Sequence, residues 1–280
     1  MSITDAVIPV AGLGTRLLPA TKSQPKEMLP LVDRPVVQRV VEELAAAGVR
    51  RVLLVTGRRK RAIEDHFDVD PELEAALPAG TVLDPRAGLE VYYTRQPRPL
   101  GLGDALRCAA TFAGDRPVVV ALGDTVITGE VVRRMIGAQA RSGADAVLAV
   151  EEVSPDAVSR YGIVSAGEDG EVSAVVEKPD PAHAPGRLAV AARYVLGPAV
   201  FAALRDAPPD ARGEVQVADA LRAVIAGGGR VLAERLVPGE RRLDIGSVES
   251  YCSAFVELAL ADPRVGPALR ERLRVLLADG

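Results

Sequence analysis

An α/β fold, with a mixed and mostly parallel sheet flanked by helices, a smaller β-rich part and C-terminal helices, is what this 280-residue sequence predicts. Three observations carry that expectation. Apolar runs of strand length alternate with helical patterns through the first half, as in a parallel sheet joined by crossover helices. Runs such as Val118-Val119-Val120-Ala121-Leu122 are continuously apolar, as expected of strands covered on both faces. Beyond residue 150 the runs shorten and polar or Pro-rich loops separate them, so mixed or antiparallel strands are expected there.

In chain order, strands are expected at 5–10, 51–56, 90–94, 117–122 and 145–150, with helices at 35–48, 60–67, 103–113 and 129–141. Strands at 161–165, 172–176 and 189–196 follow, around a Pro-rich loop at 178–188 ordered at its ends. Helices at 198–205 and 215–226, a turn at Gly227-Gly228-Gly229 and a strand at 230–236 come next. The tail 247–278 reads as two helices broken at Asp262-Pro263. Leu269, Leu273, Leu276 and Leu277 give it apolar spacing for packing on the body or on a second subunit.

Composition narrows the function classes. Apolar residues are 48% of the chain, enough for a full core, and the net charge of −4 with dispersed basic residues argues against nucleic acid as a partner. Cys108 and Cys252 lie far apart without metal-like spacing and read as buried free thiols, which fits a reducing cytoplasm. Asp5 precedes the first apolar run, and Pro9 and Gly12 break it, so it does not read as a signal peptide. No stretch reaches the length of a membrane span. His66 and His183, the only histidines, have no nucleophile or acid at telling spacing and read as structural or exposed.

The most telling stretch is the first thirty residues. The buried-strand run Ala6-Val7-Ile8-Pro9-Val10 leads into Ala11-Gly12-Leu13-Gly14-Thr15-Arg16, and Pro25-Lys26-Glu27-Met28-Leu29-Pro30 follows. Glycines let backbone N–H groups approach a ligand closely, and Arg16 and Lys26 bring two cations to the same mouth. Together they describe a binding place for a polyphosphate. It is not a P-loop, which needs G-x-x-x-x-G-K-[ST], nor a Rossmann dinucleotide fingerprint, because Leu17 stands where a small residue is required. Asp124 closes another apolar strand after Gly123, where a carboxylate is well placed for Mg²⁺. Taken alone, Asp124 and Asp244 also read as turn residues, and Glu177-Lys178 as a surface pair.

These motifs resemble the signature of the sugar-1-phosphate nucleotidyltransferases, nearest to the bacterial UTP–glucose-1-phosphate uridylyltransferase branch. The likeness continues in order through Val55-Thr56-Gly57-Arg58, Arg95-Gln96-Pro97, Leu100-Gly101-Leu102-Gly103, Leu122-Gly123-Asp124, Tyr161-Gly162-Ile163-Val164, Val176-Glu177-Lys178-Pro179, Arg193-Tyr194-Val195-Leu196, Glu214-Val215-Gln216 and Asp244-Ile245-Gly246. The resemblance implies a Rossmann-like fold. Its nucleotide-binding part would be 1–150 and its sugar-binding part 151–246, and the tail 247–280 would be available for a subunit contact.

It also implies Mg²⁺-dependent transfer of a nucleotidyl group from UTP to a sugar 1-phosphate, with glucose 1-phosphate foremost. Catalytic roles fall to Arg16, Lys26, Lys178 and Asp124, and the metal to Asp124 and Asp244. Nucleotide contacts fall to Ala11, Gly12, Gly14, Glu27, Gln96 and Gly101, with the Gln96 amide offering a donor and an acceptor to the O4/N3 edge of uracil or thymine. Sugar contacts fall to Gly162, Glu177, Lys178 and Val190. Adjacent strand residues face opposite ways, so Glu177 and Lys178 share a pocket only if the strand ends or bulges there. A homo-oligomer, dimer or tetramer, and no membrane partner complete the expectation.

Four features depart from the family pattern. Thr125 follows Asp124 where relatives carry an acid or Asn, and Asp104 follows Gly103 where Gln or His is frequent. Ala192 replaces a frequent Gly, and the segment 68–90 is short. Open alternatives are dTTP or another triphosphate, another sugar or cyclitol phosphate, a catalytically silent nucleotide-sugar-binding regulator and, distantly, a Rossmann dehydrogenase.

Overall fold

A computed structural model describes residues 3–78 and 83–278. The chain forms strands β1 (Asp5–Pro9), β2 (Pro30–Leu31) and β3 (Arg34–Pro35), helix α1 (Val36–Ala46), strand β4 (Arg51–Thr56), helices α2 (Arg61–Phe67) and α3 (Pro71–Ala76), and strand β5 (Glu90–Arg95). Helices α4 (Leu102–Cys108) and α5 (Ala110–Ala113), strands β6 (Val118–Ala121) and β7 (Thr125–Thr128), helix α6 (Val131–Ser142) and strand β8 (Ala146–Glu152) follow. The rest is β9 (Gly162–Ala166), β10 (Val172–Glu177), β11 (Leu188–Leu196), α7 (Pro198–Asp206), α8 (Val217–Ala226), β12 (Val231–Arg235), β13 (Arg241–Asp244), α9 (Val248–Ala261) and α10 (Gly266–Ala278). The expected 103–113 helix is two helices meeting at Ala109, and the 178–188 loop carries a 3₁₀ turn at Pro181–His183. Residues 79–82 of the short 68–90 segment lie outside the described residues.

Nine strands form one sheet in the order β10-β9-β11-β6-β1-β4-β5, with β8 pairing β11 and β12. Strand β1 lies between β4 and β6, parallel to both, and β4 is parallel to β5. The long strand β11 runs antiparallel to β6, β8 and β9 and joins the parallel half to the β-rich half. Side-chain alternation explains why the runs are apolar throughout. Val7, Leu53, Val118 and Val120 face one core with α4, α7 and α8, while Ala6, Ile8, Val52, Leu54 and Val119 face the other with α1 and α6. Helix α1 buries Val36, Val37, Val40, Val41 and Leu44 as a single stripe, so packing outweighs the modest helix propensity of valine.

Two smaller features stand apart from the main sheet. Strands β7 and β13 make a separate antiparallel pair in which Asp244 lies opposite Thr125. A third core, including Leu17, Leu29, Val126, Leu243, Ile245 and Ala254, ties this pair to the N-terminal loop and to α9. Helix α9 opens with a reciprocal cap, in which the Ser250 N–H donates to Ser247 Oγ at 3.1 Å and the Ser247 N–H to Ser250 Oγ at 3.0 Å. Cys108 is half-buried and Cys252 exposed, which corrects the expectation of two buried thiols: α9 leaves Cys252 in solvent while burying Ala254 and Ala259. Among the described residues, no helix is long and apolar enough to cross a membrane.

The turn leading into β13 is anchored by Glu240. Its carboxylate accepts from Arg134 Nη1 at 2.6 Å and Nη2 at 2.8 Å, and from the N–H groups of Glu130 and Val237. The Arg134 hydrogen bonds, more than the backbone donors, hold the Glu240 pKa at about 2, below its usual 4.5. A carboxyl with a depressed folded-state pKa stabilises above its unfolded value, and that contribution disappears as pH falls through the folded value. Glu240→Gln is therefore expected to cost about 2 kcal/mol at pH 7. The gap to the wild type should close as pH falls from the ordinary carboxylate range toward 2. Denaturant unfolding at several pH values checks this, and a gap that stays constant with pH refutes it.

Candidate active site

The C-terminal ends of β1, β4, β5 and β6 open on one side of the sheet, where parallel α/β folds place ligands. A cleft of about 760 Å³ lies there, within the usual range for ligand sites. From the N-terminal loop it is lined by Ala11, Gly12, Gly14, Arg16, Lys26 and Glu27, and from the ends of β5 and β6 by Gln96, Gly101 and Asp124. The β-rich half contributes Gly162, Glu177, Lys178 and Val190, and β13 contributes Asp244. Every residue given a catalytic, nucleotide, sugar or metal role from the sequence thus borders one cleft, though not all present free polar groups to it.

Asp124 is set by its neighbours. A Cβ at Gly123 would stand 2.5 Å from Val10 Cγ1, so only glycine lets the chain turn here between β6 and β7. The Asp124 carboxylate accepts from Lys26 Nζ, and the Ile245 N–H donates to the Asp124 carbonyl at 3.0 Å, stitching the metal candidates' two strands together. Burial pushes the Asp124 pKa up, but the Lys26 ammonium, its hydrogen bond and the more distant Arg16 outweigh it and hold the group below the usual range. Asp244 goes the other way: burial first, then the charge of Asp124, raises it. For Lys26, burial pulls down while Asp124, Glu27 and Asp244 pull up, and the carboxylates win.

Two carboxylates that repel one another are a fit for a divalent cation. Magnesium takes few protein carboxylates and completes its shell with phosphate oxygens and water. Among the described residues no third His, Cys, Asp or Glu joins them to make a closed metal cage. Asp124 and Asp244 are therefore the residues that would hold Mg²⁺.

Arg16 is exposed and makes no ion pair among the described residues, so its guanidinium is free for an anion. Strand β10 ends at Glu177, and Lys178 adopts φ +46°, with its N–H donating to the Tyr161 carbonyl at 2.9 Å. That left-handed step is the strand end required for Glu177 and Lys178 to border the same cleft. Ala192 has φ +59° in the bulge between Val190 and Tyr194 of β11, a conformation an alanine adopts at a cost of about 1–2 kcal/mol. Two expectations need correction. Glu27 is buried, and its carboxylate is engaged by Lys60 Nζ at 2.7 Å, so it braces the loop instead of offering itself to a nucleotide. Gln96 has no spare donor, because Nε2 donates to the Gly101 carbonyl at 3.1 Å and to Asp104 Oδ2 at 2.8 Å.

Sequence reasoning missed Arg242. It stands over the Tyr161 ring at 4.1 Å, pairs with Glu151 at 2.5 Å, and lines the cleft beside Asp244. The signal was available: residues 242 and 244 share one face of a strand. Arg160 also borders the cleft unannounced, as do Glu214 and Gln216, which the sequence offered for the family likeness but with no site role. His66 meets Gln38 through Nε2 at 3.0 Å and His183 is exposed, both away from the cleft.

Comparison with known proteins agrees with this geometry. A sequence model described as nucleotidyl transferase matches residues 5–260. The UTP–glucose-1-phosphate uridylyltransferase YngB of Bacillus subtilis is 41% identical over 290 residues, covering 99% of this chain and 95% of that protein. Among solved structures, a UTP-bound UGPase from Acinetobacter baumannii superposes with a TM-score of 0.86 at 35% identity, covering 97% of this chain and 98% of that one. A UDP-glucose pyrophosphorylase complexed with UDP-glucose gives a TM-score of 0.80 at 35% identity, over 90% of this chain and 97% of that one. With the family model spanning the cleft from β1 into α9 and a relative matched over nearly its whole length, the chain belongs to the nucleotidyl transferase family.

Proposed function

We propose that the chain transfers a uridylyl group from UTP to α-D-glucose 1-phosphate, releasing pyrophosphate and UDP-glucose with Mg²⁺ as cofactor. The observation that carries this is the convergence of Arg16, Lys26, Lys178, Asp124 and Asp244 on one cleft at the strand ends. The names borne by the relatives, and the UTP and UDP-glucose bound in the similar structures, support the same substrates.

The chemistry asks for a phosphate oxygen of the sugar to attack the α-phosphorus in line, with pyrophosphate leaving. Phosphoryl transfer needs positioning and charge neutralisation more than covalent help. Arg16, which pairs with no acid among the described residues, clamps the leaving pyrophosphate. Lys26, held by Asp124 at the cleft floor, bridges the triphosphate and the incoming phosphate. Lys178 holds the sugar phosphate and Glu177 accepts from sugar hydroxyls, with Gly162 and Val190 shaping the space. Gln96 and Gly101 read the base while Ala11, Gly12 and Gly14 flank the nucleotide. Asp124 and Asp244 would hold Mg²⁺, which would supply positive charge to the phosphate oxygens. The nucleotide part is assigned to 1–150, the sugar part to 151–246 and the tail to 247–280. Exposed Val248, Val256, Val275, Leu276 and Leu277 on α9 and α10 support a homo-oligomer, dimer or tetramer. The unpaired thiols of Cys108 and Cys252 fit a cytoplasmic setting.

Pyrophosphate release from a panel of triphosphates and sugar 1-phosphates with Mg²⁺ tests the reading. Turnover with UTP and glucose 1-phosphate is expected. Preference for dTTP or another sugar would redirect it to a specialised enzyme, and UDP-glucose binding without turnover would point to a regulator. Lys178→Ala is expected to raise KM for the sugar phosphate about tenfold or more while leaving KM for the nucleotide nearly unchanged. Equal effects on both substrates would remove the role given to Lys178.

A further inference from the structure

We propose that Asp104 is a positioning residue that fixes the Gln96 amide so that it presents only an acceptor to the nucleobase, selecting uracil or thymine against cytosine. The inference rests on the reading of Gln96 as a base contact and adds the group that decides what Gln96 says.

The geometry is specific. An amide nitrogen has two hydrogens, and both are spent: one on the Gly101 carbonyl at 3.1 Å and one on Asp104 Oδ2 at 2.8 Å. Both partners are acceptors, and neither can donate to an amide oxygen when Asp104 is ionised. The amide therefore cannot be turned round without setting Oε1 against two oxygens. Among the described residues no donor reaches Oε1, yet none of the described occluded side-chain polar atoms lacks a partner, so Oε1 is open to the cleft that Gln96 lines. Gln96 is itself held, since it is only 6% exposed and its N–H donates to the Thr56 carbonyl at 2.9 Å.

The second acceptor is fixed as firmly. Gly101 has φ +92°, and a Cβ there would lie 2.9 Å from the Val215 carbonyl oxygen, so this turn admits only glycine. Asp104 sits in the first turn of α4, which Gly101 opens, so one short segment supplies both oxygens. This also accounts for a carboxylate so near the expected triphosphate. It is turned onto Gln96 instead of toward phosphate.

A lone acceptor discriminates by chemistry. Uracil and thymine carry N3–H, which donates to Oε1. Cytosine carries an unprotonated N3 whose lone pair would oppose Oε1 and leave that oxygen unmatched beneath the bound base. The device separates uracil and thymine from cytosine and does not separate the first two. Substrate O4 must then find its donor elsewhere, since Gln96 has none left.

The test compares kcat/KM for UTP, CTP and 3-deaza-UTP, which has C–H in place of N3–H, in the wild type, Asp104→Asn, Asp104→Leu and Gln96→Leu. In the wild type, 3-deaza-UTP should be about tenfold or more worse than UTP. Asp104→Leu, which frees the amide to turn, should reduce the UTP-to-CTP ratio about tenfold through the nucleotide KM and leave KM for glucose 1-phosphate unchanged. Asp104→Asn keeps an acceptor oxygen and should hold the ratio within about threefold of wild type. If Gln96→Leu collapses the ratio and Asp104→Leu does not, the proposal is overturned while the uridylyltransferase reading stands. If neither variant changes it, Gln96 does not read the base and the proposal also fails. Absence of turnover with UTP in the wild type is a separate result that sinks the functional reading itself. Should Asp104→Leu not fold, wild-type binding decides: 3-deaza-UTP binding as tightly as UTP overturns the proposal.

Discussion

Asp124→Asn is expected to cut turnover by at least about a thousandfold, the scale of losing a principal electrostatic group in a transfer site. The substitution keeps shape and removes one negative charge. Of the two carboxylates that would hold magnesium, only Asp244 remains, and Lys26 keeps a neutral amide oxygen where a carboxylate had fixed its ammonium at the cleft floor. Folding should suffer far less. Asp124 occupies a turn whose course is set by Gly123 and by the backbone bond from Ile245, neither of which needs the carboxylate. The checks are steady-state pyrophosphate release over a magnesium titration and thermal unfolding of the same preparation. Wild-type turnover with wild-type magnesium dependence would contradict the assignment.

The largest stability effect is expected at Arg193, whose side chain does not line the cleft. Its side chain is fully buried, with Nε and Nη2 donating to Glu43 at 2.9 and 2.6 Å and Nη2 also to the Thr125 carbonyl at 2.8 Å. One guanidinium therefore fastens β11 to α1 and to the start of β7. Removing one partner of a buried ion pair leaves an uncompensated charge, at a cost of about 3–5 kcal/mol. Arg193→Leu should lower Tm by roughly 10 °C on the usual scaling for a chain this size. The double variant Arg193→Leu with Glu43→Leu should recover much of the loss, because the orphaned carboxylate is gone. A single variant that melts with the wild type would refute this account.

How much of the fold and the cleft was legible in the sequence depends on the range of each interaction. Strands β1, β4 and β6 were readable because both their faces are buried, which leaves an unbroken apolar run. The β7–β13 pair was not, since Thr125–Thr128 is too short for periodicity and its partner lies more than a hundred residues away. Asp244 was accordingly reached through the family resemblance and not from its own surroundings. Glu27 was assigned to the nucleotide through the family resemblance, whereas Lys60, 33 residues on, claims its carboxylate. Asp104 was noticed as a departure from the family pattern, but only the fold shows that it accepts from Gln96. Arg242 could have been found by strand alternation once the resemblance had placed Asp244 in the site.

Lys178 illustrates a tension that engineers of this scaffold would meet. A lysine at φ +46° is a residue that glycine would replace with relief to the backbone, by about 1 kcal/mol. A library ranked solely by heat tolerance would therefore drift toward glycine there, discarding the ammonium group proposed to hold the sugar phosphate. Robustness and chemistry compete at that single peptide, so selection for one has to be scored together with the other.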